Sequence, residues 1–333
     1  MPANAGIFMN DVFRLEELTA SVLSIEVPPT RIAEMGLFES EGVTTTDIAI
    51  EEENGKLILV PEGTRGTNGT AMGNNSRKAP KVLRTSHLKL EKSFSPSEYQ
   101  DIRQFGSAGT LTSLDAAVLK YQTQMKESIL ATIEYQRLGA IKGVVVDADG
   151  TTTIHDLHSI FGITQPSFAM DLTDTNTPLT LKYVKLKRLL EKAINNGFCK
   201  GFHVFYGSEF FDEVTGHPTV QDAYKRYMES AFLREDNRKG FYLGGMMHEE
   251  YSGAVNGKDF IKPTEAYAFP IGVKGMFLTR YSPADYTATV NTIGLPMYSK
   301  EIPDLTDRGR KIEVQSNPIN ICVMPQAVYK LVM

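Results

Sequence analysis

Apolar residues recur along this chain in two rhythms, one of period near 3.6 and one of period 2, and the switches between them mark out its elements. Between residues 10 and 24, Val12, Leu15, Leu18 and Val22 fall on one helical stripe; Val27-Pro28-Pro29 ends it, because consecutive prolines enforce extended backbone. The longest helical pattern covers residues 112–138. There Leu114, Val118, Tyr121, Met125, Ile129 and Thr132 recur at spacings of three and four, which predicts a helix about 40 Å long with Gly139 as its left-handed stop. A third helix starts at Thr177-Pro178 and stops at Asn196-Gly197, burying Leu179, Tyr183, Leu186, Leu190 and Ala193. Its Lys182, Lys185, Arg188 and Lys192 read as solvated charge. A strand over residues 202–206 leads to helices over 208–215 and 219–233.

The period-2 segments are short and scattered. Residues 47–60 alternate around Asn54-Gly55, the pair that best tolerates the positive φ of a tight hairpin turn. Beyond it, residues 63–78 hold four glycines and no aromatic residue, so this run cannot build a core of its own. Loops above roughly 12–15 residues are uncommon in compact domains, and a hairpin ending in one reads as an arm made to lie on another surface. A second hairpin over residues 143–154 turns at Asp149-Gly150; further strands fall near 241–251, 258–269 and 276–282, and the C-terminus alternates again over 311–315, 319–323 and 328–332. With no internal repeat and no regular βαβ alternation, the expected class is α+β with extensions at the front.

Composition narrows the function. The 333 residues are 41% hydrophobic, enough for one elaborated or two ordinary cores, and the net charge of −5 gives no global drive toward nucleic acid or membrane. No stretch has the apolar length of a membrane span, and the N-terminus lacks the basic segment and apolar run of a secretory signal. Cys199 and Cys322 sit beside apolar residues and read as reduced thiols; with no secretory signal, the triplets Asn68-Gly-Thr70 and Asn74-Asn-Ser76 read as chance glycosylation matches. The charge is uneven. Residues 1–43 carry seven acids, among them Glu16, Glu17 and Glu34, against two bases; residues 61–95 carry seven bases, among them Arg65, Arg77, Lys78, Lys81 and Arg84, against two acids. Two solvated faces would explain this, and so would a basic arm that meets an acidic one in the same or a neighbouring chain.

Patterns that imitate chemistry are incomplete. His155 and His158 lack a matching second ligand pair, and His248-Glu249 falls in a strand with no second histidine. Asp147-Ala-Asp149-Gly150 begins like a calcium loop without its closing Glu, and residues 63–69 are Gly-rich without the Gly-Lys-Ser/Thr of a P-loop. Ser208 lacks the flanking glycines of a nucleophile elbow and reads as a helix N-cap, and Tyr224, Tyr227 and Phe232 fit helix packing better than base stacking. No catalytic, cofactor or metal residue is expected.

Four stretches carry a resemblance: Leu57–Gly66, Glu134–Gly143, Asp285–Tyr298 and Gln315–Ile319. In this order they resemble the phage major capsid proteins of the lambda capsid protein E family, over nearly the whole chain. The resemblance implies the Hong Kong 97-type capsid fold, with an N-terminal arm (1–43), an extended loop (44–95), a peripheral domain (96–176) with its spine helix at 112–138, an axial domain (177–285) and a return to the peripheral domain (286–333). It implies the major head protein of a tailed double-stranded DNA phage or prophage, a virion component assembled in the host cytoplasm and not an enzyme. Its partners would be other copies, in pentamers and hexamers of an icosahedral shell, packaged DNA without sequence-specific contacts, and portal, scaffold and decoration proteins. An encapsulin-like compartment shell holding cargo enzymes shares the fold and is the alternative. The residues expected at contacts between subunits are Arg65, Arg77, Lys78, Lys81, Arg84, Glu16, Glu17 and Glu34.

Overall fold

The long amphipathic pattern in the middle of the chain becomes the longest element of the structure, a 29-residue helix over Leu114–Lys142. The computed structural model describes residues 15–28, 30–50, 81–94, 114–194, 198–227, 237–255, 257–303 and 310–333. The hairpin turn at Asn54-Gly55, the Gly-rich run, Val12 and the Asn196-Gly197 stop lie outside them. The chain divides into two compact units, Met1–Ile48 with Arg84–Gln136 and Leu278–Asn320, and Ala49–Leu83 with Arg137–Phe277 and Ile321–Met333.

In the first unit, α1 (Leu15–Ser24) and α2 (Arg31–Glu34) precede the long helix, α3 (Leu114–Lys142). Two three-stranded sheets complete it. In one, Tyr298–Pro303, Arg310–Ser316 and Leu88–Phe94 run antiparallel in that order; in the other, Phe277–Tyr281 lies between Glu39–Gly42, which is parallel to it, and Pro318–Cys322. The core joins Leu18 and Val22 of α1, Val118, Met125, Ile129 and Ile133 of α3, and Phe94, Ile312 and Val314 of the sheet. Ile133, one four-residue step beyond Ile129, continues the buried α3 stripe in place of Thr132. Thr132 turns its hydroxyl back to the Ser128 carbonyl at 2.9 Å.

Polar contacts from α3 fix α1 and α2. The end of α1 has no basic residue of its own. Lys126 of α3 supplies the charge, donating from Nζ to the carbonyls of Val22 (2.8 Å), Leu23 (3.2 Å) and Ile25 (2.8 Å). The Thr30 side chain makes no cap on α2. Instead the buried Glu134 carboxylate accepts the Ile32 N–H at 2.6 Å on Oε1 and the Thr30 hydroxyl at 2.7 Å on Oε2. A cation thus meets a helix C-terminus and an anion a helix N-terminus, each in the favourable sense of the helix dipole. The two side chains stand about 12 Å apart along α3, at ~1.5 Å per residue.

The helix does not stop at Gly139. It runs to Lys142, and the left-handed residue is Gly143, with φ +86°. Gly139 serves packing instead: a Cβ there would lie 2.9 Å from the Val144 carbonyl oxygen and from the Val145 Cα. The following hairpin pairs Val144–Val146 with Thr153–Asp156. Its turn is held by the Asp149 carboxylate, which accepts from the Thr151 and Thr152 amides at 2.8 Å each. These bonds, with that from the Thr152 hydroxyl, hold the Asp149 carboxyl well below the usual carboxylate range. The acidic pair is therefore a hairpin turn. A side chain at residue 143 would collide with the His158 ring, on α4 (Leu157–Phe161).

The second unit is built on a mixed six-stranded sheet in the order Ser167–Ala169, Tyr329–Val332, Ala266–Ile271, Gly201–Tyr206, Met246–Glu250, Phe241–Leu243. α5 (Leu179–Ala193), α6 (Ser208–Gly216) and α7 (Pro218–Tyr227) pack with it. α5 buries Leu179, Tyr183, Leu186 and Leu190 as the periodicity predicts. Ser208 is not the cap of α6: Gly207 holds that position, and no side chain bonds there.

Tyr206 joins strand and helices. Its hydroxyl lies 3.0 Å from the Tyr183 hydroxyl and 2.7 Å from His248 Nδ1, and its ring meets Phe210 and Phe211 of α6 at 5.6 and 5.9 Å. His248 donates from Nε2 to the Leu243 carbonyl at 3.0 Å, and because burial disfavours the charged ring, Nδ1 is left as the acceptor of the Tyr206 hydroxyl. From the opposite side of the strand, His203 meets Glu249 at 3.1 Å among Phe205 and Phe269. These histidines are core residues with assigned partners.

Two predictions follow from these contacts. Glu134→Ala leaves the Ile32 N–H without its buried acceptor and is expected to cost about 1–3 kcal/mol. An unchanged urea midpoint would contradict that role. Burial lowers the His248 pKa to about 4, and the charge of His203 adds to this. A histidine with a depressed folded value contributes stability that is complete above its ordinary ~6.5 and is lost as pH falls from there through about 4, by at most about 1.4 kcal/mol per pH unit. The stability difference between wild type and His248→Gln should shrink across this window; a constant difference would refute it.

Candidate assembly surfaces

Three of the stretches singled out in the sequence come together in the first unit, two joined by bonds between side chains and backbone and the third, through Gln136, by a side-chain bond to the adjoining Asn320. Gln315 Oε1 accepts the Asp285 N–H at 3.3 Å, and the Ser316 hydroxyl donates to the Pro296 carbonyl at 2.6 Å. Asn317 donates from Nδ2 to the Pro283 carbonyl at 2.9 Å. Tyr298 sits opposite Gln315 in the strand register. From α3, the Gln136 carbonyl oxygen accepts from Asn320 Nδ2 at 3.3 Å, and Asn320 in turn accepts the Thr279 hydroxyl at 2.8 Å. All of these polar side chains from 315 to 320 are buried and satisfied within the chain. Their work is to hold the backbone over residues 283–297. The remaining stretch, Leu57–Gly66, lies outside the described residues.

Glu313 anchors the other side of this loop. Its buried carboxylate accepts from the Tyr286 hydroxyl at 2.8 Å and Gln315 Nε2 at 3.1 Å, with Lys89 Nζ 3.5 Å away. Burial, reinforced by Glu313, pushes the Tyr286 phenol above its ordinary pKa, so it remains a donor. Two glycines complete the clamp. Gly42 and Gly294 cross so closely that a Cβ on Gly42 would strike the Gly294 carbonyl, and a Cβ on Gly294 would strike the Tyr281 carbonyl. The Gly294 amide donates to the Val43 carbonyl at 2.9 Å. The loop so fixed turns Val290 and Ile293 outward at 64% and 67% exposure. Among the described residues of the first unit these are the most exposed large apolar side chains.

The same unit holds the root of the hairpin arm. Thr85 donates its amide to the Thr46 carbonyl at 3.0 Å, and its hydroxyl lies 2.9 Å from that of Ser282. His87 Nδ1 lies 2.7 Å from Asn317 Oδ1; because the Asn317 amide nitrogen is already donating, the histidine is the donor. Asp47–Ile50 pairs with Lys81–Arg84, while the expected partner strand around Lys56–Val60 lies outside the described residues. Between arm root and loop runs an open groove of about 1020 Å³, lined by Thr44, Asp47, Arg84, Asp285 and Asn291 among others. Its hydroxyls, amides and mixed charges form a polar surface without a paired acid and base aimed at one point.

The charged residues expected at subunit contacts are dispersed. Glu16 and Glu17 are exposed in the first turn of α1, where negative charge suits the helix N-terminus. Glu34 forms an exposed pair with Arg31 at 2.9 Å. Arg84 is exposed at the arm root. Lys81 is engaged within its own unit, donating to the Ile160 carbonyl with its ammonium 4.9 Å from the centre of the Phe161 ring. Arg65, Arg77 and Lys78 lie outside the described residues. Sequence reasoning did not single out the loop's supports, Tyr286, Glu313, Gln315 and Asn317. For Tyr286, Gln315 and Asn317 the available signal was their position inside the stretches that carry the resemblance, while Glu313 lies outside them; their burial was hidden, because polar side chains in a strand ordinarily face water.

No helix among the described residues is long and apolar enough to cross a membrane, and no group of three or more metal-ligating side chains occurs among them. Comparison with known proteins identifies the architecture. The family described as phage major capsid protein E matches residues 14–333. The major capsid protein of Salmonella phage Felix O1 is 26% identical, with 94% of each chain covered. Among solved structures, a prophage capsid protein of Escherichia coli CFT073 aligns at 14% identity with a TM-score of 0.59, covering 96% of this chain and 98% of that one. The capsid protein of cyanophage P-SCSP1u aligns at 10% identity with a TM-score of 0.54, covering 92% and 89%. The chain belongs to the phage major capsid protein E family, has the Hong Kong 97-type capsid fold, and is a structural head protein rather than an enzyme.

Proposed function

We propose that this chain closes into an icosahedral shell of pentamers and hexamers around packaged double-stranded DNA, as the major head subunit of a tailed phage or prophage. The observation that carries this reading is the family match from residue 14 to residue 333, which takes in the arm, the long helix and both units. The fastened, outward-facing Val290 and Ile293 offer apolar area for a contact between subunits. Many modest contacts of this kind add up in a closed assembly, whereas single exposed ion pairs are worth roughly 0–1 kcal/mol. The curated relative from phage Felix O1 is itself a head protein, which favours a genome shell over a compartment that stores enzymes.

In this reading residues 1–43 are the N-terminal arm and 44–95 the extended loop. Residues 96–176 with 286–333 form the peripheral domain, with α3 as its spine, and 177–285 the axial domain, whose six-stranded sheet also takes in 167–169 and 329–332 from the flanking segments. The DNA is held without base readout, since a net charge of −5 offers no strong general attraction to phosphate. Portal, scaffold and decoration proteins are the further partners, and assembly takes place in the host cytoplasm. The basic residues Arg65, Arg77, Lys78 and Arg84 of the loop meet acidic surface on a neighbour, with Glu16, Glu17 and Glu34 as the partners offered by the arm; Lys81 is engaged within its own unit.

Negative-stain electron microscopy of the protein, expressed alone and with its neighbouring genes, is expected to show capsomer rings or closed shells. Uniform monomers under both conditions would count against the reading. Reversal of Arg77 and Lys78 to Glu is expected to reduce shell yield while leaving the thermal melt of the subunit unchanged; Lys81 is spared because it bonds within its own unit. Normal shells from that variant would remove the arm pairing but not the shell.

A further inference from the structure

The helices packed on the six-stranded sheet carry opposite charges on their outer faces. On α5 the buried stripe is complete with Leu179, Tyr183, Leu186 and Leu190, yet Leu181 and Leu189 also face outward, at 58% and 38% exposure. Spacings of three and four place Leu181, Lys185, Arg188, Leu189 and Lys192 on one outer face. Two other cations of α5 are occupied. Lys182 bonds to Asp171 and to the Ala169 carbonyl, and Lys187 lies 4.0 Å from Glu191 and over the Phe202 ring. Lys185, Arg188 and Lys192 are exposed and form no ion pair among the described residues.

α6 shows the reverse. Phe210, Phe211 and Val214 face inward, while Glu209, Asp212 and Glu213 are exposed on a helix with no basic residue. Their carboxylates likewise form no ion pair among the described residues. α7 contacts both α5 and α6. Tyr206 ties both to one strand, through the Tyr183 hydroxyl on one side and the Phe210 and Phe211 rings on the other. The two charged faces are therefore held in fixed relation, and a contact between them would cost little ordering entropy.

We propose that the basic outer face of α5 docks on the acidic outer face of α6 of a second copy of this chain, head to tail. The occupant follows from charge complementarity: each copy carries both faces, and among the described residues neither face has an ion-pair partner in its own chain. A contact that uses different faces on the two copies repeats around a ring, and the ring closes if the rotation allows. Leu181 and Leu189 supply apolar area between the charges, which give orientation and steering more than affinity. This inference rests on the shell-subunit reading and assigns to it the residues that join neighbours within a capsomer.

Charge reversal tests it. Lys185→Glu with Arg188→Glu makes α5 acidic; Asp212→Lys with Glu213→Lys makes α6 basic. Either pair alone is expected to lower the yield of rings and shells about tenfold or more, counted by sedimentation and negative stain, and all four together to restore most of it. Raising NaCl from about 50 to 500 mM should weaken wild-type ring formation, because exposed charges are screened. Lys185→Gln with Arg188→Gln gives a milder loss and serves if a reversed helix fails to fold. Reversed pairs that assemble like wild type, or a fourfold variant no better than either pair, would overturn the contact. Wild-type chains that stay monomeric would remove the shell reading and this contact with it; intact wild-type rings indifferent to every reversal would remove the contact alone.

Discussion

Two buried or half-buried charges on one long helix hold the N-terminal helices in place. Lys126 collects three carbonyls at the end of α1, and Glu134 takes the Ile32 amide and the Thr30 hydroxyl at the start of α2. A four-residue helix such as α2 is not stable by itself, because nucleation costs more than so few hydrogen bonds return. It persists because Glu134 replaces the cap it lacks and because Ile32 is fully buried. α1 is similarly dependent, with Leu18 and Val22 in the core shared with α3 and Thr19 bonded to the Ser299 backbone. The front of the first unit is thus an annex of α3, and the strand that follows, Glu39–Gly42, is positioned beside Leu278–Tyr281 from there.

The polar residues most typical of the chain prove to be scaffolding. Gln315, Ser316, Asn317 and Asn320 look like candidates for binding because they are polar and clustered, yet each is buried and spends its hydrogen bonds on the backbone at 283–296 or on Gln136 and Thr279. Buried polar groups of this kind favour one arrangement over others, since every alternative leaves a donor or acceptor without a partner. What they hold still is a loop with Val290 and Ile293 on its outside. Rigid support beneath an exposed apolar surface is what a subunit needs when its partners are copies of itself.

Much of this was legible in the sequence, for identifiable reasons. α1, α3 and α5 each showed a helical stripe, and Tyr183, Leu186 and Leu190 fell inside as the spacing requires. The Asp149-Gly150 hairpin was legible because local bonds decide it. Where local and tertiary demands diverge, the reading slipped. Gly139 looked like a helix stop, but the helix passes through it and uses the missing side chain to approach Val144. Ser208 looked like a cap, but Gly207 takes that position. The crossing of Gly42 and Gly294, some 250 residues apart, leaves no local trace at all. Nor does the role of Lys126 and Glu134, which read as two ordinary polar positions on a helix whose partners lie a hundred residues earlier.

The central claim is that this chain is a shell subunit whose arms and loops are carried by the α3 framework. A cryo-electron microscopy reconstruction of particles from the expressed protein tests it most directly. The account predicts closed icosahedral shells in which α3 is continuous, Lys126 and Glu134 keep their partners in α1 and α2, and Val290 and Ile293 are covered by a neighbouring subunit. Particles absent under every expression condition, or shells in which that loop stays open to solvent and α1 and α2 have left α3, would contradict it.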